Sequence, residues 1–313
     1  MAVVRGQREG STVVLGSATP SMESYYNAQR GRYKLLEMPS RVDDKQMPLV
    51  RVQDMRTEKS KGDQVPPIFS QRLKEAIHNR LEQGEQTILF LNRRGFATSM
   101  QCPDCGFVAE CPNCSLSLTY HRREQFLRCH VCGHGTAAPR RCPEERCGSP
   151  KIRFHGLGTE KVEDVLRKLF PRANVTRMDS DALKRKDDYR RILGDFRRGK
   201  IDILVGTQMI AKGLHFPRVT LVGIVYADTG LHLADFRAGE RTFQLLTQVA
   251  GRAGRGEVEG EVVVQTFSPV HPAIQFSRRH DYEGYFEAEM EFREQLRYPP
   301  FTRAAMLLSL IHI

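Results

Sequence analysis

The chain has 313 residues, 40% hydrophobic and 27% charged, enough apolar matter for a sizeable core in two or three domains and too much for wholesale disorder. Lys and Arg outnumber Asp and Glu by 48 to 37, a net charge of +11 that suits a polyanionic partner such as nucleic acid, with a generically basic soluble protein as the plain alternative. No apolar run approaches the roughly 18 residues of a membrane span. Met1–Gly10 carries Arg5 and Arg8 but no apolar h-region, so neither a span nor a secretory signal is expected.

In chain order, Val13-Val14-Leu15 predict a short strand ending in the polar loop Gly16-Ser17-Ala18-Thr19-Pro20-Ser21. Residues 41–67, mixed in character and holding Pro48, Pro66 and Pro67, read as a linker. Ser70 caps a predicted helix to about Gln83, with Leu73, Ile77 and Leu81 at four-residue spacing and Gly84 as the stop. Ile88–Leu91 predicts a buried strand that ends in Asn92-Arg93-Arg94-Gly95-Phe96. A cysteine-rich stretch then interrupts the alternation.

Beyond it, Val162, Val165, Leu166 and Leu169 predict a helix closed by Pro171, and Val175–Met178 a strand. Tyr189, Ile192, Leu193 and Phe196 predict a helix closed by Gly199. Strands follow at Ile201–Val205 and Leu221–Tyr226, a helix at Thr242–Val249 and a strand at Val262–Val264. Strands alternating with helices argue a parallel α/β sheet, with the cysteine-rich stretch inserted between Leu91 and Val162. There is no internal repeat and no low-complexity tract.

All 8 cysteines fall between Cys102 and Cys147, as four pairs: Cys102 with Cys105, Cys111 with Cys114, Cys129 with Cys132, and Cys142 with Cys147. Three pairs are Cys-x2-Cys, the spacing at which two thiolates of one tight turn face the same tetrahedral ion. Gly106 and Gly133 follow two of these turns and supply the backbone freedom a knuckle needs. A disulfide framework fits poorly with a chain otherwise free of cysteine, and a redox site needs one such pair, not four. Two structural zinc sites are therefore expected. The last pair has four intervening residues and is the loosest of the set. Eight thiolates fill two sites, so His121, His130 and His134 are read as bystanders.

Residues 102–153 hold eight Arg/Lys against five Asp/Glu. Two zinc ions and eight thiolates turn that surplus of +3 into −1. Any DNA contact of the insertion is then local, through Arg122, Arg123, Arg128, Arg140 or Arg141, and a protein contact is at least as well supported. Residues 177–200 carry nine Lys/Arg against five Asp, either a phosphate-contacting segment or a solvated helix face.

Ligands of open α/β sheets bind beyond the carboxyl ends of strands. Four polar loops occupy such positions: Gly16–Ser21, Asn92–Phe96, Gly206–Gly213 with Thr207 and Lys212, and Gln248–Arg255. In the last, Arg252 and Arg255 lie three apart on one helical face beside Gly251 and Gly254, so two forked cations can approach a phosphate closely. A solvated Arg/Gly turn is the plainer reading of that loop in isolation.

Together and in this order the loops resemble the motifs of superfamily 2 helicases. Ser17-Ala18-Thr19 is similar to motif III, Leu89–Phe96 to motif IV, Val205–Asp228 to motif V and Gln248–Arg255 to motif VI. The cysteine-rich insertion between motifs IV and V resembles one family in particular, the bacterial replication-restart helicases of the PriA family. Leu157-Gly158-Thr159-Glu160, Ala227-Asp228, Asp235-Phe236-Arg237-Ala238, Glu240-Arg241 and Tyr298-Pro299-Pro300-Phe301 match as well. A RecG-like motor explains the motifs without the cysteines.

The resemblance implies an ATP-dependent 3′-to-5′ DNA helicase, cytoplasmic and nucleoid-associated, that recognises stalled forks and D-loops and begins primosome assembly. Its implied partners are branched and single-stranded DNA, primosome proteins and single-strand-binding protein. Its implied cofactors are two structural Zn2+, with ATP and Mg2+ in the intact protein. By position, Arg252 and Arg255 would reach the γ-phosphate and Gln248 would sense the nucleotide. Ser17 and Thr19 would couple ATP state to DNA grip, and Asn92, Arg93, Thr207, Lys212 and Gly213 would contact DNA. The family pattern pairs Cys102, Cys105, Cys142 and Cys147 on one zinc and Cys111, Cys114, Cys129 and Cys132 on the other, with the wide last pair departing from it.

The implied fold is a RecA-like helicase lobe, a parallel sheet flanked by helices. Its divisions are a tail of the first lobe at 1–40, a linker at 41–67, the second lobe at 68–98 and 155–270, the zinc-binding insertion at 99–154, and the start of a C-terminal domain at 271–313. No Gly-x4-Gly-Lys-Ser/Thr cradle and no Asp-Glu-x-His box occurs in the sequence. The chain is thus expected to be an internal piece of a longer protein, with termini that need not be native, and inactive as an ATPase alone. A zinc-bearing binding module without catalysis is the alternative.

Overall fold

The computed structural model describes residues 2–38, 47–58, 67–91, 99–121, 124–154, 158–179, 186–207, 210, 216–251, 253 and 260–304. The chain divides into two compact units, Ser40–Ala288 and a smaller one made of Met1–Pro39 with Glu289–Ile313.

The larger unit is built on a six-stranded sheet. Its strands are β1 (Leu49–Asp54), β2 (Gln86–Phe90), β8 (Val175–Met178), β9 (Ile203–Gly206), β10 (Val219–Ile224) and β11 (Glu261–Thr266). They lie in the order β1-β11-β10-β2-β9-β8, every neighbouring pair parallel. Parallel strands require crossovers, which the intervening helices supply. These are α3 (Gln71–Glu82), α4 (Thr159–Leu169), α5 (Lys186–Arg197), the short α6 (Asp228–Leu231) and α7 (Ala238–Ala250), while α8 (Pro272–Arg278) follows the last strand.

Central strands buried on both faces read as continuous apolar runs. Leu89, Val205, Leu221 and Val263 share one core with Leu73 and Ile77 of α3 and Val162 and Leu166 of α4. Residues of opposite parity, among them Ile88, Phe90, Leu204, Val222 and Val264, are also buried, so the second face is covered too. Gly223 lets α3 approach closely: a Cβ there would lie 2.5 Å from Leu89 and 3.0 Å from Leu73. The buried Gln265 side chain stitches the layers. It donates to the carbonyls of Ile68 and Val225, both at 2.9 Å, and accepts from the Ser70 N–H at 2.8 Å. Ser70 is the N-cap of α3, as its sequence position predicts, and its hydroxyl accepts from the Leu73 N–H.

Three expectations are corrected. The segment read as a linker contributes β1, the edge strand beside β11, and Met55 behind it is buried in the core. Its alternation of Val50 and Val52 with polar residues is the pattern of a strand covered on one side. Val13–Leu15 is not a strand. Val14 is 85% exposed, and the described residues of the smaller unit contain no strand for it to pair with. Finally, α8 packs on α7 and β1, so the larger unit extends to Ala288, past the boundary expected at residue 270.

The smaller unit holds α1 (Ala2–Glu9), α2 (Met22–Gln29) and the end of α9 (Tyr282–Gln295). Its centre is Arg293, fully buried. Arg293 pairs with Glu289 at 2.8 Å, lies 3.6 Å from Glu23 of α2, and donates to the Pro299 carbonyl at 3.3 Å. Tyr26 and Phe301 meet edge to face at 5.5 Å.

Two cysteine quartets and the strand ends

The insertion opens and closes on an antiparallel pair, β3 (Met100–Gln101) with β7 (Arg153–Phe154), so its two ends lie side by side. Within it, β4 (Thr119–His121), β5 (Phe126–Arg128) and β6 (Gly135–Ala137) form a three-stranded antiparallel sheet.

Three knuckles share one backbone device. The N–H of the first cysteine donates to the carbonyl five residues on, in Cys102 to Phe107, Cys111 to Leu116 and Cys129 to His134, at 2.7 to 2.8 Å. The N–H four residues on returns to the carbonyl of that cysteine, from Gly106, Ser115 and Gly133. That fourth position takes positive φ: 83° at Gly106, 49° at Ser115 and 78° at Gly133. Ser115 thus fills without glycine a left-handed position that glycine takes at lower cost. The wide pair Cys142–Cys147 is accommodated by a longer turn, in which Cys142 N–H donates to Ser149 O at 2.8 Å and Gly148 carries the positive φ of 54°.

These turns gather the thiols into two quartets, Cys102, Cys105, Cys142, Cys147 and Cys111, Cys114, Cys129, Cys132, with the sulfurs of each quartet within 4.8 Å of one another. The Sγ–Sγ distances are 3.8 Å for Cys102–Cys147 and 3.5 Å for Cys105–Cys142 and Cys111–Cys132. Four thiolates about 2.3 Å from a central ion at tetrahedral angles stand about 3.8 Å apart, so both quartets fit zinc. Four thiolates and no neutral or oxygen donor make closed, structural donor sets.

Burial pushes the thiols of Cys105, Cys111, Cys114 and Cys142 up in the metal-free state. Hydrogen bonding from the His134 N–H draws Cys132 down to about 6, and the Ser149 N–H lowers Cys147. Metal binding must therefore expel protons that the buried thiols hold tightly.

The first quartet sits over the carboxyl ends of β1, β10 and β11. Arg56, just after β1 and clamped to Asp54 at 2.6 Å, donates to the Cys105 carbonyl at 3.3 Å. A Cβ on Gly106 would lie 2.6 Å from the Phe267 carbonyl, so only glycine admits this approach. Asp228, fully buried after β10, accepts from the Phe267 N–H at 3.0 Å and from Gln101 at 3.3 Å. Tyr226 donates its hydroxyl to the other end of the Gln101 amide at 2.7 Å. Burial by itself raises the Asp228 carboxyl, but hydrogen bonds from His232, Phe267 and Ser268 outweigh it and hold the group below the usual carboxylate range.

The other strand ends lead in sequence toward the predicted ligand loops. Thr207 directly follows β9 and is half-buried, with its carbonyl accepting from Ile210. Beyond β8, the Thr159 hydroxyl at the start of α4 donates to the buried Asp179. Gln248 is exposed in the last turn of α7, which Gly251 caps. In the smaller unit, Thr19 is buried and its N–H donates to Ser17 Oγ at 3.1 Å, a turn that leads into the Ser21 cap of α2. Asn92, Arg93, Lys212, Gly213, Arg252 and Arg255 lie outside the described residues. Sequence reasoning missed Gln101 and Arg56. The first is hidden beside Cys102, and the second sits in a segment whose partner is distant in sequence.

Two family models match inside the chain: the helicase conserved C-terminal domain over residues 153–257 and the PriA DNA helicase Cys-rich region over 111–136. The replication restart protein PriA of Bacillus subtilis is 50% identical over 98% of the chain, and that of Haemophilus influenzae 42% over 98%. The chain spans 38% and 41% of the length of these two relatives. Among solved structures, RecG bound to a three-way DNA junction is 16% identical and aligns with 93% of this chain and 28% of its own, at a TM-score of 0.45. With this identity sustained along its length and the family's own cysteine-rich region matched inside it, the chain belongs to the PriA family of replication restart proteins.

Proposed function

We propose that the larger unit is the second RecA-like lobe of an ATP-dependent DNA helicase acting in replication restart, with a double-zinc insertion. The observation that carries this reading is the juxtaposition of a helicase C-terminal match, a parallel sheet and an inserted pair of four-cysteine sites in one unit. In this reading residues 1–40 are the tail of the first lobe and bring Ser17 and Thr19 to couple nucleotide state to DNA grip. Thr207, Lys212, Gly213, Asn92 and Arg93 hold the DNA backbone, and movement is 3′-to-5′ on stalled forks and D-loops ahead of primosome assembly. Short polar donors after strands suit phosphate contacts. Single-strand-binding protein and primosome proteins are the expected protein partners. The two quartets hold structural zinc.

ATP with Mg2+ supplies the driving force when bound. The residues of this chain that serve it are Arg252 and Arg255, which stabilise charge developing on the transferred phosphate, and Gln248, which reads the nucleotide. The 313 residues contain no Gly-x4-Gly-Lys-Ser/Thr phosphate cradle, which favours a second reading for the chain by itself: a zinc-bearing binding module without hydrolysis. DNA-stimulated ATPase assays separate the two. The isolated chain is expected to show no turnover. In the full-length protein Arg252→Ala is expected to spare nucleotide binding and to lower turnover by roughly 10³-fold or more. Turnover by the isolated chain, or full activity of the variant, overturns the assignment.

A further inference from the structure

The two quartets are bound to the rest of the unit in different ways. The second one is framed by β4, β5 and β6, which among the described residues pair only with one another, and its Cys132 is exposed. The first is joined to the sheet along two lines, one buried and one half-buried. One runs from Cys102 through its neighbour Gln101 to Asp228 and on to the Phe267 N–H. The other runs from the Cys105 carbonyl through Arg56 to Asp54. Between them Gly106 lies against the Phe267 backbone. Tyr226 fixes the orientation of the Gln101 amide, so that its NH2 faces the carboxylate. Groups behind metal ligands orient them and tune metal retention, and here those groups are the strand ends themselves.

We propose that Gln101 and Asp228 are positioning residues through which the metal of the first quartet, and not that of the second, holds the carboxyl ends of β10 and β11. This rests on reading the quartets as zinc sites. A metal bound at the first site fixes Gln101 and so keeps Asp228 on the Phe267 amide. A metal lost there frees the knuckle and exposes that amide. The coupling runs both ways, so disturbing the strand-end bonds also loosens the first metal.

The test uses the zinc-loaded chain. Elemental analysis comes first, and absence of zinc overturns the metal reading and the proposal with it. With zinc present, hydrogen exchange at the Phe267 amide is compared in Cys105→Ser and Cys111→Ser. Each is expected to lose one zinc. Only the first should speed exchange at Phe267, by about tenfold or more, as loss of a buried hydrogen-bond partner does. Equal exchange in the two variants overturns the proposal and leaves the zinc reading standing. Gln101→Leu keeps all eight thiols and decides the matter if Cys105→Ser does not fold. It should retain two zinc ions but surrender one of them to a chelator about tenfold faster than the parent chain. Unchanged release of both ions from Gln101→Leu also overturns the proposal.

Discussion

Replacing Arg293 should unfasten the smaller unit while leaving the sheet alone. The guanidinium is fully buried against Glu289 at 2.8 Å, Glu23 at 3.6 Å and the Pro299 carbonyl at 3.3 Å. Two segments separated by most of the chain, α2 and the residues after Glu289, therefore share one cation. Arg293→Met removes it and leaves the buried Glu289 carboxylate uncompensated, a loss of about 3–5 kcal/mol for a broken buried pair. Amide exchange through local opening converts this to roughly 10²- to 10⁴-fold faster exchange in α2 and at Tyr298. Exchange in β2 and β10 should not change. Arg293→Lys keeps the charge but loses the fork, and should fall between. The double variant Arg293→Met/Glu289→Leu should recover most of the loss, because an apolar pair of similar volume replaces a buried ion pair at little cost. A loss below about 1 kcal/mol in Arg293→Met, the range of exposed pairs, would refute the reasoning.

Ser115→Gly should stabilise the second knuckle by about 1 kcal/mol, because the left-handed position at φ 49° then costs no Cβ strain; thermal unfolding with zinc bound would show a higher Tm, and a lower one counts against the argument. Zinc should leave both quartets as pH falls, since the buried thiols of Cys105, Cys114 and their neighbours take up protons readily once the ion competes poorly; a zinc-responsive dye follows the release, and retention in strong acid sinks the prediction. Asp228 has a lowered folded pKa, so its contribution is present above the ordinary value of 3.8 and is lost as pH falls through the lower folded value; Asp228→Asn should be less stable than the parent near neutrality, with the gap closing in acid. Arg191 and Arg198 of α5 are paired with Asp188 and Asp195, whereas Arg190 and Arg197 are exposed and make no ion pair among the described residues. If this segment contacts DNA, Arg190→Ala/Arg197→Ala should lower the slope of log affinity against log salt by about 2, and an unchanged slope assigns the segment to solvent.

Much of the larger unit was legible because its signals are local. Ser70 and Gly84 mark the ends of α3, and Val175–Met178 is a strand over the residues its apolar ends suggest. The four cysteine pairs follow from spacing because two thiolates of one short turn converge. Which pairs share an ion is not local: Cys102 and Cys147 meet because β3 and β7 bring the ends of the insertion together. The failures share that cause. Pro48 and the prolines beyond made 41–67 look like a linker, yet β1 is held by pairing with β11, some two hundred residues away. Val13–Leu15 has the composition of a strand, but the described residues of its unit contain no strand to pair with, and composition does not supply a partner.

The point of insertion explains how a sheet can carry so large an addition. In sequence the module follows β2 and ends at β7 before α4; the closure of β3 on β7 joins its two ends, and β2 stays parallel to β9 and β10 up to Phe90. The location has a consequence for chemistry. Ligands of parallel sheets use the carboxyl ends of strands, and here the ends of β1, β10 and β11 are covered by the first knuckle through Arg56, Gly106 and Asp228. That leaves the ends of β2, β9 and β8, where Asn92, Thr207 and Asp179 follow. The insertion thus covers the carboxyl ends of three of the six strands. A metal in the first quartet would back that cover, because Gln101, the residue before Cys102, donates its buried amide to Asp228.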